Sequence, residues 1–341
     1  MISTQDAIDS LFLERACELA RRGAGGTSPN PPVGAVVVAN GSIVGEGYHH
    51  RAGEPHAEPL ALRAAGERAR GATLYVSLEP CNHHGRTPPC SHAVAGSGIV
   101  RAVVGTRDPN PRTAGGGIAY LRGRGIAVDV ADDEHARDLI APFARAVTAR
   151  RPFVTLKLAM SLDGFVASRR GEQQWLTGQE ARTLVRELRI VHDAVAVGAG
   201  TVRIDNPQLT VRPAHVRERN YLRAVFSRSG DLDPGSRVFQ PVPHYDPTLV
   251  LSGDLLASLR ELHERGIASV LCEGGPDLAA QLLHAHLVDR LILLVAPTFL
   301  AGPDAVPVVP GLRPGSIEGA YVQSAERLGP DLVITATMQD V

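Results

Sequence analysis

Two short segments in the first half of the chain, residues 55–62 and 78–90, supply side chains of the kind that bind metal. The first contains His56, and the second contains Cys81 and Cys90, which makes one imidazole and two thiolates. This is a zinc ligand set, and three protein ligands leave a fourth position for water, as catalytic zinc sites do. Any fold that uses the set must return all three side chains to one point. We therefore predict a catalytic zinc site in this half.

Glu58 stands two residues after His56, where we expect it to move protons without binding the metal. The His-x-Glu…Pro-Cys pattern resembles that of nucleobase deaminases, in which zinc activates water and the glutamate carries its proton to the departing amine. Those enzymes use a Cys-x-x-Cys spacing, whereas these cysteines are nine residues apart with His83, His84 and Arg86 between them. The insert favours a small polar or phosphorylated substrate.

A structural zinc site, or burial without metal, is the alternative interpretation of the same three residues. A structural site takes a fourth protein ligand, and His83 or His84 is available for that role. The position of Glu58 favours the catalytic interpretation.

Length and composition point to a two-domain globular protein. The chain has 341 residues, 44% of them hydrophobic and 21% charged, and a formal net charge of −1. That charge gives no general attraction to a phosphate backbone, so we expect no nucleic-acid partner. The four cysteines form no disulfide framework once two bind metal, which predicts a cytoplasmic protein. We see neither a signal peptide nor an apolar run of about 18 residues that would span a membrane.

Alternating helical and extended patterns predict an α/β fold in the first half. Residues 4–22 have the periodicity of an amphipathic helix, and residues 33–38 and 42–48 form a hairpin around Asn40-Gly41, which suits a type I′ turn. A helical pattern opens at His56 and continues to about residue 69. Further strands are predicted at residues 73–77, 101–104 and 127–130, and a further helix at residues 118–123.

The second half repeats the alternation after a break near residues 148–152, so we place the domains at 1–148 and 149–341. Helices are predicted over 178–189 and from Leu255 and Pro276, and the glycine-containing stretch 198–207 is expected to be a loop. Strands are predicted at residues 153–160, 194–198, 223–226, 248–251, 269–273, 290–295, 321–327 and 332–338. The Gly274-Gly275-Pro276 sequence before a helix is a phosphate-cradle signal, with a tight turn as the alternative.

Motifs along nearly the whole chain resemble the bifunctional riboflavin-biosynthesis family, a pyrimidine deaminase fused to a uracil reductase. They are NPPVGAVVV, GEPHAE, EPCNHHGRTPPC, DPNP, KLAMSLDG, QWLTG, GTVRIDNPQLTVR and EGGP. The resemblance implies a cytidine-deaminase-like three-layer α/β/α domain followed by a dihydrofolate-reductase-like α/β domain. It also implies hydrolytic deamination of 2,5-diamino-6-(5-phosphoribosylamino)pyrimidin-4(3H)-one by zinc hydroxide, and then reduction of the ribosyl side chain to ribityl by hydride from NADPH.

The resemblance also assigns the pocket residues. In the deaminase it implies contacts to substrate from Asn30, His49, Arg86, Asp108 and Asn110, for each of which a turn or surface role is the alternative. In the reductase it implies substrate contacts from Lys157, Gln173, Arg189, Leu209, Arg212 and Glu273. For the nucleotide it implies contacts from Ala159, Trp175, Thr201, Asp205, Gly274, Gly275 and Pro276. The sole lysine and sole tryptophan of the chain both fall on these positions.

The chain departs from the family pattern at three places. Residues 113–117 lack the usual cation, Gln173 replaces a serine, and Ser227 stands where an aspartate often ends the strand. From the family we also expect a homo-oligomer, a dimer or larger, formed through the reductase half. The alternatives are a tRNA adenosine deaminase, a scaffold built on a degenerate deaminase domain, and an enzyme that has lost only the reductase. Intact Glu58 argues against the scaffold, and near-zero net charge and the second half argue against the tRNA enzyme.

Overall fold

The computed structural model describes residues 4–83, 88–111, 113–172, 175–213, 215, 219–311 and 319–338. Two of the predicted site residues, Arg86 and Gln173, lie outside these ranges. The chain divides into two compact units, Met1–Arg150 and Arg151–Val341. Within the described ranges, none of the helices has the length and apolar character needed to cross a membrane.

The first unit is built on a five-stranded sheet in the order β2-β1-β3-β4-β5. Its strands are β1 (Gly34–Ala39), β2 (Ser42–Tyr48), β3 (Thr73–Leu78), β4 (Arg101–Thr106) and β5 (Ala127–Val130). Its helices are α1 (Thr4–Arg21), α2 (Ala57–Ala65), α3 (Cys90–Gly96), α4 (Gly116–Gly123) and α5 (Glu134–Ala149). Strand β1 is antiparallel to β2 and β3, whereas β3, β4 and β5 are parallel.

Both faces of this sheet are covered, which produces the three layers that were predicted. Side chains of β1 alternate between the faces. Ala35 and Val37 pack with residues of α2, α3 and α4, whereas Val36 and Val38 pack with residues of α1. The predicted hairpin is also present, with Asn40 at φ 51° and Gly41 at φ 76°, the left-handed conformations that a type I′ turn requires.

The second unit contains an eight-stranded sheet in the order β10-β9-β8-β11-β6-β12-β15-β14. Its strands are β6 (Phe153–Ser161), β8 (Ala194–Gly198), β9 (Leu222–Phe226), β10 (Leu249–Leu251), β11 (Ser269–Cys272), β12 (Arg290–Ala296), β14 (Ala320–Leu328) and β15 (Asp331–Met338). The first six strands in that order are parallel to one another. At one edge of the sheet, β15 is antiparallel to both β12 and β14. A separate pair consists of β7 (Phe165–Ala167) and β13 (Val306–Pro307).

The helices of the second unit are α6 (Gln179–Val191), α7 (Ala199–Asp205), α8 (Leu255–Glu264) and α9 (Pro276–His284). The prediction of a loop over residues 198–207 was wrong, because α7 occupies most of that stretch. Val202 of α7 is buried against Val195, Val197 and Val225 of the sheet. This packing outweighs the poor helix propensity of Gly200.

The carboxyl ends of the parallel strands meet at one edge of this sheet. Gly198 ends β8, Ser227 follows β9, and Glu273 follows β11. Ligands of open parallel sheets bind at such an edge. The topology therefore brings these otherwise distant residues to one place.

Candidate active sites

The three predicted zinc ligands of the first unit lie together. His56 caps the N-terminus of α2, Cys81 lies in the loop after β3, and Cys90 begins α3. The Nδ1 atom of His56 is 3.7 Å from the Sγ atom of Cys81 and 3.3 Å from that of Cys90, and all the ligand atoms lie within 4.8 Å of one another. Tetrahedral zinc with bonds of about 2.0–2.3 Å holds neighbouring ligand atoms about 3.5 Å apart. The cluster fits zinc.

Within the described part of the chain, no further histidine, cysteine or carboxylate joins this cluster as a fourth ligand. His83 is described and does not belong to it, and His84 lies outside the described residues. Three ligands from three separate elements are the arrangement expected when one position remains for water.

Each of the two thiols changes the pKa of the other. A hydrogen bond from Cys90 lowers the pKa of Cys81, and His56 lowers it further. The pKa of Cys90 is raised, chiefly by its contact with Cys81 and then by burial. The pair without metal therefore favours one thiolate, and this thiolate raises the pKa of His56. Binding of a cation would favour deprotonation of both thiols.

Glu58 lies in the first turn of α2 and is only 2% exposed. Its Oε2 atom is buried without a hydrogen-bond partner among the described residues. Burial raises the pKa of Glu58 to about 7, and the neighbouring Cys81 contributes in the same direction. A carboxyl group that titrates near neutral pH is suited to accept and return a proton.

His49 lies beside the zinc cluster. Its ring centroid is 4.9 Å from that of His56, and its Nδ1 atom is 3.2 Å from the carbonyl oxygen of Pro55. Burial lowers the pKa of His49, so we assign the neutral ring. With the proton on Nδ1, the buried Nε2 atom is an acceptor, and it has no partner among the described residues.

Three other predicted substrate residues of this unit, Asn30, Asp108 and Asn110, make local hydrogen bonds in turns. The carboxylate of Asp108 accepts hydrogen bonds from the backbone N–H of Asn110 and the hydroxyl of Thr113. Asn30 is half-buried, and its N–H donates to the carbonyl of Thr27. These contacts leave the substrate roles of Asn30, Asp108 and Asn110 as predictions.

Glu79, which follows β3 and is 5% exposed, was not among the predicted site residues. Its carboxylate accepts four backbone hydrogen bonds, from the N–H groups of Asp108, Gly115, Gly117 and Ile118. The available signal was a charged residue at the end of a buried strand, next to the Pro-Cys pair.

A cavity of about 1630 Å³ lies at the carboxyl edge of the sheet in the second unit. Every predicted reductase residue that the structure describes lines it. The residues predicted to contact substrate are Lys157, Arg189, Leu209, Arg212 and Glu273, and those predicted to contact the nucleotide are Ala159, Trp175, Thr201, Asp205, Gly274, Gly275 and Pro276. Ser227 also lines the cavity, and its Oγ atom accepts a hydrogen bond from the N–H of Gly230.

Three charged groups meet in this cavity. Arg189 donates two hydrogen bonds to the carboxylate of Glu273, at 2.6 and 2.8 Å, and a third to the carbonyl of Thr210 at 2.7 Å. Burial raises the pKa of Glu273, but Arg189 and Lys157 outweigh it, so the pKa is lowered overall. Burial lowers the pKa of Lys157, and Glu273 opposes that effect. The arrangement keeps a carboxylate charged beside an amine that gives up its proton more easily.

The nucleotide side of the cavity is more open. Trp175 is 72% exposed, and the guanidinium of Arg182 lies 6.0 Å from the centre of its ring. Gly275 caps the N-terminus of α9, where free N–H groups favour a phosphate. A Cβ atom on Gly275 would lie 3.0 Å from the Oγ1 atom of Thr201, so glycine keeps the two segments close. An exposed indole and a helix N-terminus that line one cavity suit a dinucleotide.

Two protein families match the chain, one in each unit. The cytidine and deoxycytidylate deaminase zinc-binding region matches residues 6–106. The RibD C-terminal domain matches residues 152–334. The first match includes His56, Cys81 and Cys90, and the second includes every residue of the predicted reductase site.

Full-length relatives match across both units. The riboflavin biosynthesis protein RibD of Aquifex aeolicus is 40% identical over 96% of this chain and 98% of its own length. The protein of the same name from Escherichia coli is 39% identical, with the same coverage. Among solved structures, Acinetobacter baumannii RibD has a TM-score of 0.87 at 34% identity, covering 98% of this chain and 99% of its own. A Thermotoga maritima diaminohydroxyphosphoribosylaminopyrimidine deaminase/5-amino-6-(5-phosphoribosylamino)uracil reductase has a TM-score of 0.85 at 38% identity, with the same coverage.

Proposed function

The chain belongs to the RibD family of riboflavin biosynthesis proteins, and we infer from this that residues 1–148 carry its deaminase and residues 149–341 its reductase. The protein is a bifunctional enzyme that uses zinc and NADPH. The observation that supports the deaminase most directly is the zinc-compatible cluster of His56, Cys81 and Cys90 with Glu58 buried behind it. We propose 2,5-diamino-6-(5-phosphoribosylamino)pyrimidin-4(3H)-one as its substrate.

In the deaminase, His56, Cys81 and Cys90 hold the zinc, and Glu58 moves the protons. Zinc held there would supply Lewis-acid activation of water. The Oε2 atom of Glu58, which has no partner among the described residues, would take a proton from a water whose oxygen bonds to the ring carbon, and would return that proton to the amine, which leaves as ammonia. Neutral His49 offers Nε2 as an acceptor for a ring N–H or amine of the substrate. Asn30, Arg86, Asp108 and Asn110 complete the proposed pocket.

In the reductase, the cavity would hold both nucleotide and substrate. Ala159, Trp175, Thr201, Asp205 and the 274–276 segment bind NADPH, which supplies the hydride when bound. Lys157, Arg189, Leu209, Arg212 and Glu273, which line the cavity, bind the substrate. Gln173, which lies outside the described residues, is proposed to bind it as well. The ribosylamine carbon accepts the hydride in its ring-opened imine form. Lys157 lies in the cavity beside Glu273, where its ammonium can protonate the reduced substrate, and its lowered pKa eases that transfer.

The remaining proposals concern partners and location. We propose a homo-oligomer formed through the second unit, supported by edge strand β14, on which Tyr321 is 60% and Val322 55% exposed. An exposed edge strand is open to pairing with a second copy. The near-zero net charge supports the absence of a nucleic-acid partner, and the cysteine usage supports a cytoplasmic location.

Substitution of the proposed proton carrier tests the deaminase assignment. We expect Glu58→Gln to retain one zinc ion and to lose deamination by a factor of at least about 100, because general acid–base catalysis contributes that much. Reduction of supplied deaminated intermediate should be unchanged. Glu54→Gln is the matched control, an exposed glutamate in the same segment. Deamination by Glu58→Gln at the rate of the Glu54→Gln protein would remove Glu58 from the proposed role.

A further inference from the structure

Glu79 joins three parts of the first unit that carry or support the deaminase site. Its own N–H donates to the carbonyl of Thr106 at the end of β4. Its Oε2 atom accepts from the N–H groups of Asp108, at 3.2 Å, and Gly115, at 3.0 Å. Its Oε1 atom accepts from the N–H groups of Gly117, at 3.0 Å, and Ile118, at 3.1 Å. One carboxylate thus fixes the 108–110 turn and the start of α4.

An ionised carboxylate suits this environment better than any other side chain of the same size. It only accepts hydrogen bonds, and its two oxygens have about four acceptor positions, which the four N–H groups fill. No arginine or histidine of the described residues pairs with Glu79. A glutamine would turn an NH₂ group toward two N–H donors, because an amide has only one acceptor oxygen.

The loop that carries the metal ligand Cys81 begins directly after Glu79. Pro80 and Cys81 follow Glu79 directly, and a Cβ atom on Gly117 would lie 1.8 Å from the carbonyl oxygen of Pro80. The start of α4 is therefore in direct contact with the backbone that leads to Cys81. The carboxylate and this contact together set the distance between the metal ligand and the 108–110 turn.

We propose that Glu79 is a positioning residue for deamination, which holds the turn containing Asp108 and Asn110 in place relative to the backbone that leads to Cys81. The inference rests on the proposed deaminase function, in which these two residues contact substrate. Glu79 is not a member of the metal-compatible cluster, and its carboxylate oxygens accept from backbone N–H groups. Its loss therefore acts on substrate affinity through the turn, while His56, Cys81 and Cys90 keep their metal.

The test compares the full-length wild-type protein with Glu79→Gln, Glu79→Asp and the control Glu46→Gln. Glu46 belongs to the same unit and pairs with Arg15 at 2.8 Å, so its substitution reports a loss of stability away from the site. Glu79→Asp keeps the charge but is shorter by one methylene, which gives a milder variant. For each protein we would measure zinc content, KM and kcat of deamination, and amide hydrogen exchange of residues 107–118.

We expect Glu79→Gln to retain zinc, to raise the KM of deamination about tenfold with a smaller change in kcat, and to exchange the 107–118 amides at least about tenfold faster. The KM and exchange rate of Glu79→Asp should lie between those of Glu79→Gln and the wild type. Glu46→Gln should leave zinc content, deamination kinetics and amide exchange unchanged. An unaltered KM and exchange rate in Glu79→Gln would overturn the proposal, and so would loss of zinc. Failure of the wild-type protein to deaminate would instead overturn the proposed function, while the exchange comparison still tests the hydrogen-bonding role of Glu79.

Discussion

Substitution of Glu273 by glutamine tests the charged centre of the reductase cavity. The variant keeps the size of the side chain but removes the charge that faces Arg189 and Lys157. The paired side chains of Arg189 and Glu273 are 17% and 11% exposed, so both charges are largely buried. Breaking a buried ion pair costs about 3–5 kcal/mol, because the remaining charge loses its partner. Glutamine still accepts one hydrogen bond from Arg189, so we expect the lower end, about 3 kcal/mol.

This loss should be visible as a lower Tm of the second unit. For a unit of this size, Tm falls by about 2–4 °C for each kcal/mol of lost stability. We therefore expect calorimetry at neutral pH to show a Tm lower by about 6–12 °C. The pKa of Glu273 is lowered in the folded protein, so its contribution is present above the ordinary carboxyl pKa and is lost as the pH falls through the lowered value. The difference between the two proteins should therefore shrink in acid.

Activity provides a second readout of the same variant. Glu273 opposes the effect of burial on Lys157, so its loss should lower the pKa of Lys157 further. If Lys157 must be protonated for reduction, the alkaline limit of the reductase pH profile should move to lower pH. The control is Glu264→Gln, at the exposed end of α8. A Tm decrease no larger than that of the control, at every pH, would refute the account of this ion pair.

Three further predictions concern the two units separately. Removal of zinc by a strong chelator should abolish deamination and leave the reduction of supplied intermediate intact, as measured by NADPH oxidation. Trp175→Ala should raise the KM for NADPH about tenfold without lowering Tm, because the ring is 72% exposed; an unchanged KM would exclude the proposed contact. A hydrogen bond from Arg101 lowers the pKa of Asp9, so Asp9 should stabilise the first unit above about pH 4 and lose that effect as the pH falls through its lowered pKa. Asp9→Asn should therefore show a flatter dependence of Tm on pH in that range than the wild type. A Tm curve parallel to that of the wild type would contradict this role of Asp9.

The zinc cluster could be predicted from sequence because each of its parts is a short motif of metal-binding residue types, although His56 lies 25 and 34 positions from the two cysteines. His56 and Glu58 are two residues apart, and the Pro-Cys pair follows a buried strand with only Glu79 between them. The hairpin at Asn40-Gly41 was predictable for the same reason, since its turn needs left-handed residues at two adjacent positions. Most strands of the second unit are short apolar runs bounded by glycine or charged residues, and their positions were predicted within a few residues.

What the sequence did not reveal depends on contacts between distant segments. The four hydrogen bonds of Glu79 join residues that are 29 to 39 positions away from it. Helix α7 forms in a glycine-containing stretch because Val202 is buried against the sheet. The sequence pattern around Val202 gives no indication of this packing. The pairing of Arg189 with Glu273 spans 84 positions and needs the parallel sheet to bring the two side chains together.

Mass spectrometry of the diaminopyrimidine substrate incubated with purified protein, with and without NADPH, tests the central claim most directly. Without NADPH, we predict replacement of one ring amine by a carbonyl and no further change. With NADPH, we predict the same replacement followed by the gain of two hydrogens in the ribosyl side chain. A zinc-loaded protein that leaves the substrate unchanged under both conditions would contradict the account.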